Sequence, residues 1–331
     1  MPVVKLKRMG ATEQIDDYER VRKIHRVLVM HYVEGISQAE IAKRTGISHP
    51  TVNRLVKEGH ERGFVQISVK SPFQSLFELE QQLVEAGGLR EAIVTPSVSE
   101  LEEVNLTTAG KAAAEFLLAN LRDGDTVCVS GGQGVSAVVN ALNPSHAYDV
   151  TVVPATGGVQ GKHFIDVNHV AARLAAKLQG RAFQIHAPIF AASREERDVL
   201  MSLQSVREVL ARAREARVAL VGIGSVHSDK STYFNLQTTG KLQLPDLGQS
   251  GAAGELVAHL IDRKGELCDY PLNERVVALT PAEFKAVPLS IGISAGERKA
   301  EPIASVLSGG FLDALATDEA TAARVVDILK G

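Results

Sequence analysis

The chain has 331 residues, 45% of them hydrophobic, and a formal net charge of −3, a balance that excludes a disordered or fibrous chain and supplies core for two domains. No apolar run approaches the roughly 18 residues that span a bilayer, and the start MPVVKLKRMG lacks a secretory apolar stretch, so a cytoplasmic protein without a membrane partner is expected. Charge is uneven: residues 1–70 hold 13 Lys/Arg against 8 Asp/Glu and the remainder 23 against 31, which puts the basic balance where a polyanion would be met.

In chain order, Val21, Ile24, Val27, Leu28, His31 and Tyr32 form the apolar stripe of a first helix, with His31 read as a packed core residue. Ser37 and Glu40 have capping-box spacing and start a short helix that Gly46 ends. Ser48 and Pro50 open the next helix, where Val52, Leu55 and Val56 recur on one face. That spacing leaves His49, Thr51, Asn53, Arg54 and Lys57 outside, as in the recognition helix of a helix-turn-helix. Amide and guanidinium groups read adenine and guanine edges, so Asn53 and Arg54 are the candidate base readers. Ser48, Thr51, Lys57 and Arg62 suit phosphate oxygens, and Phe64 to Val69 alternates as a wing strand would. Operator DNA is the expected partner.

The expected organisation is a winged helix-turn-helix domain over 1–70, a linker helix over 71–90 and a larger domain over 91–331. In the last, strand-like runs (Ala92–Thr95, Thr126–Ser130, Val150–Pro154, Phe183–His186, Val218–Gly222, Arg275–Leu279, Leu289–Ser294 and Ala314–Thr317) alternate with helical ones over 107–121, 134–142, 167–178, 194–214, 298–308 and 319–329. Such alternation predicts an α/β fold with a doubly wound parallel sheet. Cys128 and Cys268 each lie in apolar surroundings and read as reduced, buried thiols; no metal-ligand spacing occurs, and neither a metal nor a cofactor is expected.

Ligands of such sheets bind beyond the carboxyl ends of the strands. There the chain places Ser130-Gly131-Gly132-Gln133-Gly134 ahead of a helix, Thr156-Gly157-Gly158 with Lys162 behind it, Gly224-Ser225, and Ser294 to Lys299. Small residues at a helix start let backbone amides approach an anion, so a phosphate-bearing ligand is expected. Neither glycine loop fits the Walker A or dinucleotide patterns. Lys162, His163, Asp166 and Glu255 could supply acid-base groups, but no paired arrangement points to catalysis.

The segments QAEIAKRTGISHPTVNRL, VCVSGGQG, VVPATGGVQG, GIGS, GAAGEL and GISAGERKAEPIASVLSGGFLDALATDEATA together resemble the SorC family of sugar-responsive bacterial transcription regulators. The resemblance covers nearly the whole chain. It implies an effector domain similar to sugar-phosphate isomerases and deaminases, homo-oligomers (dimers or tetramers), and no enzymatic role. It implies that the loop 130–136 and Lys299 hold an effector phosphate, that Glu255 meets sugar hydroxyls, and that Asp166 and Asn168 line the same pocket. Family members often carry Trp-Gly-Arg-Thr where this chain has Gly131 to Gly134, and the fructose-bisphosphate-responsive branch has arginine where it has Thr156. Fewer cations point to a sugar, a polyol or a monophosphate.

Overall fold

The protein is described here by a computed structural model covering residues 11–66, 71, 73–159, 166–226 and 247–331. It divides into two compact units, one up to Pro72 and one from Phe73 onward.

The smaller unit contains α1 (Ala11–Leu28), α2 (Gln38–Thr45) and α3 (His49–Glu61). Ile24, Val27, Leu28, Met30, Ile41, Val52, Leu55 and Val56 close one apolar core. Gly59 lets α3 approach α1, since a Cβ there would lie 2.6 Å from a Leu28 methyl. Ser37 accepts from the Glu40 amide at 3.3 Å, but the Glu40 carboxylate turns to Arg44 at 3.1 Å, so only half of the expected capping box forms. Gly46 ends α2 in the left-handed region with φ of 71°. The first helix continues into a π-helical turn over Val29–Val33. That wider turn moves Tyr32 off the apolar stripe; it is 42% exposed, and its hydroxyl meets His60 at 2.5 Å. His31 is half-buried, but it has a polar partner, the Ile36 carbonyl, 3.1 Å from Nδ1. Phe64 to Gln66 form no strand, and the rest of the expected wing, Ile67 to Val69, lies outside the described residues.

In the larger unit α4 (Gln74–Gly87) is followed by β1 (Glu91–Thr95), α5 (Glu102–Asn120), β2 (Thr126–Val129), α6 (Gln133–Ala141), β3 (Thr151–Pro154), α7 (Val167–Leu178), β4 (Arg181–Ala182), α8 (Arg194–Ser202), α9 (Gln204–Arg214) and β5 (Val218–Gly222). After it come β6 (Gly254–Leu256), β7 (His259–Ile261), α10 (Pro281–Lys285), β8 (Leu289–Ile293), α11 (Ala300–Ser308), β9 (Ala314–Asp318) and α12 (Glu319–Lys330). Seven strands form one parallel sheet in the order β1-β9-β8-β5-β2-β3-β4. Its central strands are short apolar runs such as Val127-Cys128-Val129, buried on both faces under the helices, as parallel pairing requires.

From β2 the chain moves outward to β3 and β4, and from β5 it moves the other way to β8 and β9. The strand order therefore reverses between β2 and β5, and a crevice opens beyond their carboxyl ends.

Three expected elements differ, and one hairpin is additional. Arg275 to Leu279 is not a sheet strand; Val276 and Ala278 make only isolated bridges to Phe190 and Thr156. The edge strand β4 ends at Ala182, before the expected Phe183 to His186, although the Phe183 amide still donates to Val152. The expected helix over 194–214 is two helices, because extended backbone at Leu203 breaks it. The hairpin β6–β7 has no glycine or asparagine in its turn: Val257 and Ala258 take φ of 43° and 66°, values unusual for side-chain-bearing residues.

The segment read as a linker packs into the larger unit. Leu76 and Leu83 of α4 are buried, Glu80 accepts from the Val94 amide at 2.9 Å, and Gly87 abuts Leu307. Leu83→Ala should therefore lower the unfolding free energy of the larger unit by about 2–5 kcal/mol, read from urea denaturation; a change within 0.5 kcal/mol would show that α4 is peripheral.

Candidate functional site

On α3, Ser48 accepts from the Thr51 amide at 3.4 Å and pairs with its hydroxyl at 2.8 Å, and Pro50 lies in the first turn. With Val52, Leu55 and Val56 buried, His49, Asn53, Arg54 and Lys57 are exposed and Thr51 is half-exposed. Asn53 and Arg54 make no hydrogen bond or ion pair with the described residues, so both are available to base edges. Lys57 lies only 3.9 Å from Glu61 with both side chains exposed, a pairing too weak to hold it from phosphate. Arg62 is different: it bridges Asp17 at 3.0 Å and Glu58 at 2.9 Å, and Arg20 also binds Glu58. The side chain read as a phosphate contact is thus engaged in joining α3 to α1.

In the larger unit a cavity of about 880 Å³ occupies the mouth of the β2–β5 crevice. Ser130 to Gly134 line it after β2, Gly222 to Ser225 after β5, and Ser294, Ala295, Arg298 and Lys299 after β8. Thr156, Gly157, Glu255 and the first turn of α5 also line it. Each wall segment has a physical reason for its position. The Ser130 hydroxyl donates to the Gly131 carbonyl and accepts from the Gly222 amide at 3.1 Å, tying the two loops together. Gly132 takes φ of 113°, and Gly134 lies so close to β8 that a Cβ would sit 2.8 Å from the Ile293 carbonyl. Gly132 at the start of α6 has no side chain with which to cap it; the opening amides have no acceptor within the helix, and Gln133 and Gly134, which carry two of them, line the cavity.

The second glycine loop is used otherwise. The Gly157 amide donates to Val277 at 2.7 Å and the Gly158 amide to Ala187 at 2.9 Å, and the Thr156 hydroxyl donates to the Gly157 carbonyl. This loop supplies a wall rather than amides for an anion, and Gly158 is outside the lining. Asp166 and Asn168 are also outside the lining. Asp166 caps α7 through the Asn168 and His169 amides and accepts from the Val159 amide at 2.8 Å. Asn168 makes a two-way amide pairing with the Ile185 backbone, at 2.8 and 3.1 Å. Both shape the loop and neither turns to the cavity; Lys162 and His163 lie outside the described residues.

Glu255 and Lys299 both line the cavity, near enough for each charge to act on the other though they form no ion pair. Glu255 accepts from the Ala258 amide at 2.8 Å, bracing the strained hairpin turn, and Lys299 Nζ donates to the Ile223 carbonyl at 3.0 Å. Burial pushes the Glu255 carboxyl above its usual range, against the Ala258 amide and the Lys299 ammonium. Burial likewise lowers Lys299, opposed by the charges of Glu255 and Glu102. Gly224 faces this pair, and a methyl there would overlap the Glu255 carboxylate.

Three charged groups beyond the expected set organise the site. Arg298 and Glu102 form a bidentate pair at 2.8 and 2.9 Å, bringing the first turn of α5 onto the loop after β8. Asp318, 1% exposed at the end of β9, accepts from the Gly296 amide at 2.8 Å, the Ser97 hydroxyl at 2.9 Å and the Thr321 hydroxyl at 2.5 Å. It thereby fixes the turn that delivers Lys299 and the loop that leads to Glu102. Among the described residues no cluster of His, Cys, Asp and Glu could hold a metal, and no helix is long and apolar enough to cross a membrane.

Comparison with known proteins follows this division. Residues 71–327 match the family model "Putative sugar-binding domain", and residues 25–72 match the MarR family. The chain is 30% identical over 312 residues to the sorbitol operon regulator of Klebsiella pneumoniae, covering 93% of this chain and 98% of that protein. This chain belongs to the SorC family of sugar-binding transcriptional regulators. Another relative, the transcriptional regulator LsrR of Escherichia coli, is 27% identical over 307 residues, covering 92% of this chain and 94% of that protein. The crystal structure of full-length SorC from K. pneumoniae gives a TM-score of 0.71 at 28% identity, covering 93% of this chain and 99% of that one.

Within this SorC-family cavity the Asp318 network has a pH signature. Burial alone would raise the Asp318 carboxyl, but hydrogen bonds from Thr321, Gly296 and Ser97 hold it below its usual value. A carboxyl lower in the folded than in the unfolded state stabilises above the unfolded value and loses that contribution as pH falls through the folded one. The gap between wild type and Asp318→Asn in urea midpoint should be widest near pH 7 and narrow below about pH 4; a gap independent of pH would contradict the network.

Proposed function

We propose that this regulator binds operator DNA through α3 and that a sugar, polyol or sugar monophosphate in the β2–β5 cavity alters that binding. The carrying observation is the meeting, in one cavity, of the uncapped start of α6 with the Glu255–Lys299 pair. Amides at a helix start favour one anionic group, while a carboxylate and an ammonium lining the same cavity suit hydroxyls as acceptor and donor. Among the described lining residues, Arg298 and Lys299 stand against Glu100, Glu102, Glu103 and Glu255. That balance disfavours a bisphosphate, whose two dianionic groups would meet more carboxylates than cations. The relatives' names support the sugar reading: one is a sorbitol operon regulator. We take the protein to act as a homo-oligomer, dimer or tetramer, in the cytoplasm where its operator is, and not as an enzyme.

One observation favours a second reading. An upward-shifted carboxyl beside a downward-shifted ammonium is what acid-base chemistry on a sugar phosphate uses. Turnover of glucosamine 6-phosphate or ribose 5-phosphate by the purified protein would establish that reading; unchanged substrate supports the regulator.

DNA reading is tested on α3. Asn53→Ala and Arg54→Ala should each cost about 1–3 kcal/mol of discrimination between operator and random DNA. Lys57→Ala should weaken both DNAs alike and reduce the salt dependence by about one phosphate contact. Equal loss on both DNAs from Asn53→Ala and Arg54→Ala, measured by fluorescence anisotropy, would remove them as base readers.

A further inference from the structure

The cavity's one guanidinium among the described lining residues is already occupied. Arg298 Nε and Nη2 donate to the two Glu102 oxygens at 2.8 and 2.9 Å, the fork-to-fork geometry with which arginine also binds phosphate. The pair is built into the fold. A Cβ on Gly296 would sit 2.7 Å from Glu102 Cγ and Cδ, so the glycine leaves the space in which Glu102 lies across the turn. Gly296 holds φ of 102° there, with its amide fixed by Asp318. Both partners line the cavity, and their side chains keep 62% and 37% exposure, so solvent and ligand can reach them. Glu102 also stands in the first turn of α5, next to Glu103.

We infer that Glu102 is a specificity-determining residue of the effector cavity: its carboxylate occupies Arg298 in place of an anion and sets the site against strongly charged ligands. An entering phosphate must compete with Glu102 for the guanidinium and also face its negative charge. A neutral polyol meets neither obstacle, because its hydroxyls can use Glu255, Lys299 and the serines of the wall. An exposed pair of this kind is worth little by itself, so the barrier is graded and a monophosphate can displace Glu102, whereas a bisphosphate gains too few cations for its charge. This inference rests on the sugar-effector reading given above.

The test uses the full-length protein and four probes: D-glucitol, D-glucitol 6-phosphate, fructose 1,6-bisphosphate and inorganic phosphate, with affinities from isothermal titration. Glu102→Gln should raise affinity for the phosphorylated sugars by about three- to ten-fold and leave D-glucitol within about two-fold. Glu103→Gln removes the same charge from the same helical turn without releasing Arg298, and it should give less than half that gain. Arg298→Gln alone should lower affinity for the phosphorylated sugars, an arm that stands even where Glu102→Gln folds poorly, and in the double variant the gain from Glu102→Gln should fall to that of Glu103→Gln. Equal ratios of phosphorylated to neutral affinity in wild type and Glu102→Gln, or equal gains from Glu102→Gln and Glu103→Gln, would overturn the inference and leave the sugar reading intact. Wild-type protein that binds none of the four probes would overturn both.

Discussion

The structure depends on the reversal of strand order between β2 and β5. Parallel strands must be joined by crossovers, and where successive crossovers leave in opposite directions no helix covers the strand ends. Here Val129 and Gly222 end the two diverging strands, and the loops that follow line the cavity. Their composition answers that constraint. Gly134 must pass within contact of the Ile293 carbonyl, Gly224 must leave room for Glu255, and the Ser130 hydroxyl ties the loops across the gap. The cavity is a consequence of topology, and its chemistry is a consequence of which small residues the crevice tolerates.

A second layer of control is electrostatic. Ion pairs and buried carboxylates hold loops from distant parts of the chain around the crevice: Asp318 from β9 joins Ser97 and Gly296, and Glu102 from α5 joins Arg298. Asp318 is satisfied by several donors, which offsets the cost of removing it from water. Lys299 is the exception in kind, since its ammonium is buried against one carbonyl and the neighbouring Glu255. A group held this way can exchange its protein partner for a ligand at small net cost, as an effector site requires.

Local features were legible in the sequence and distant ones were not. Ser37, Gly46, Ser48 and Pro50 mark the ends of α2 and α3 because caps act within four residues, and apolar runs mark the central strands because both faces are buried. The hairpin carrying Glu255 was hidden because Val257 and Ala258 take left-handed conformations that glycine or asparagine would have signalled. Asp166 and Asn168 stand in the pocket only by the family resemblance, since a carboxylate or amide near a glycine loop looks alike whether it binds ligand or caps a helix. Here it caps α7 and staples Ile185. Glu102 and Arg298 stand 196 residues apart, a separation at which no local pattern signals contact. The ion pair of Arg62 with Asp17 spans 45 residues and is hidden from the sequence for a related reason.

The central claim is that occupation of the β2–β5 cavity changes DNA binding by α3, with Lys299 as a sensing contact. The most direct measurement is operator affinity of the full chain, with and without saturating D-glucitol or D-glucitol 6-phosphate, in wild type and Lys299→Ala. The account predicts a ligand-dependent change in the wild type of about 5- to 150-fold, its loss in Lys299→Ala, and the same ligand-free affinity in both proteins. An operator affinity indifferent to either ligand, or a full response retained without Lys299, would contradict it.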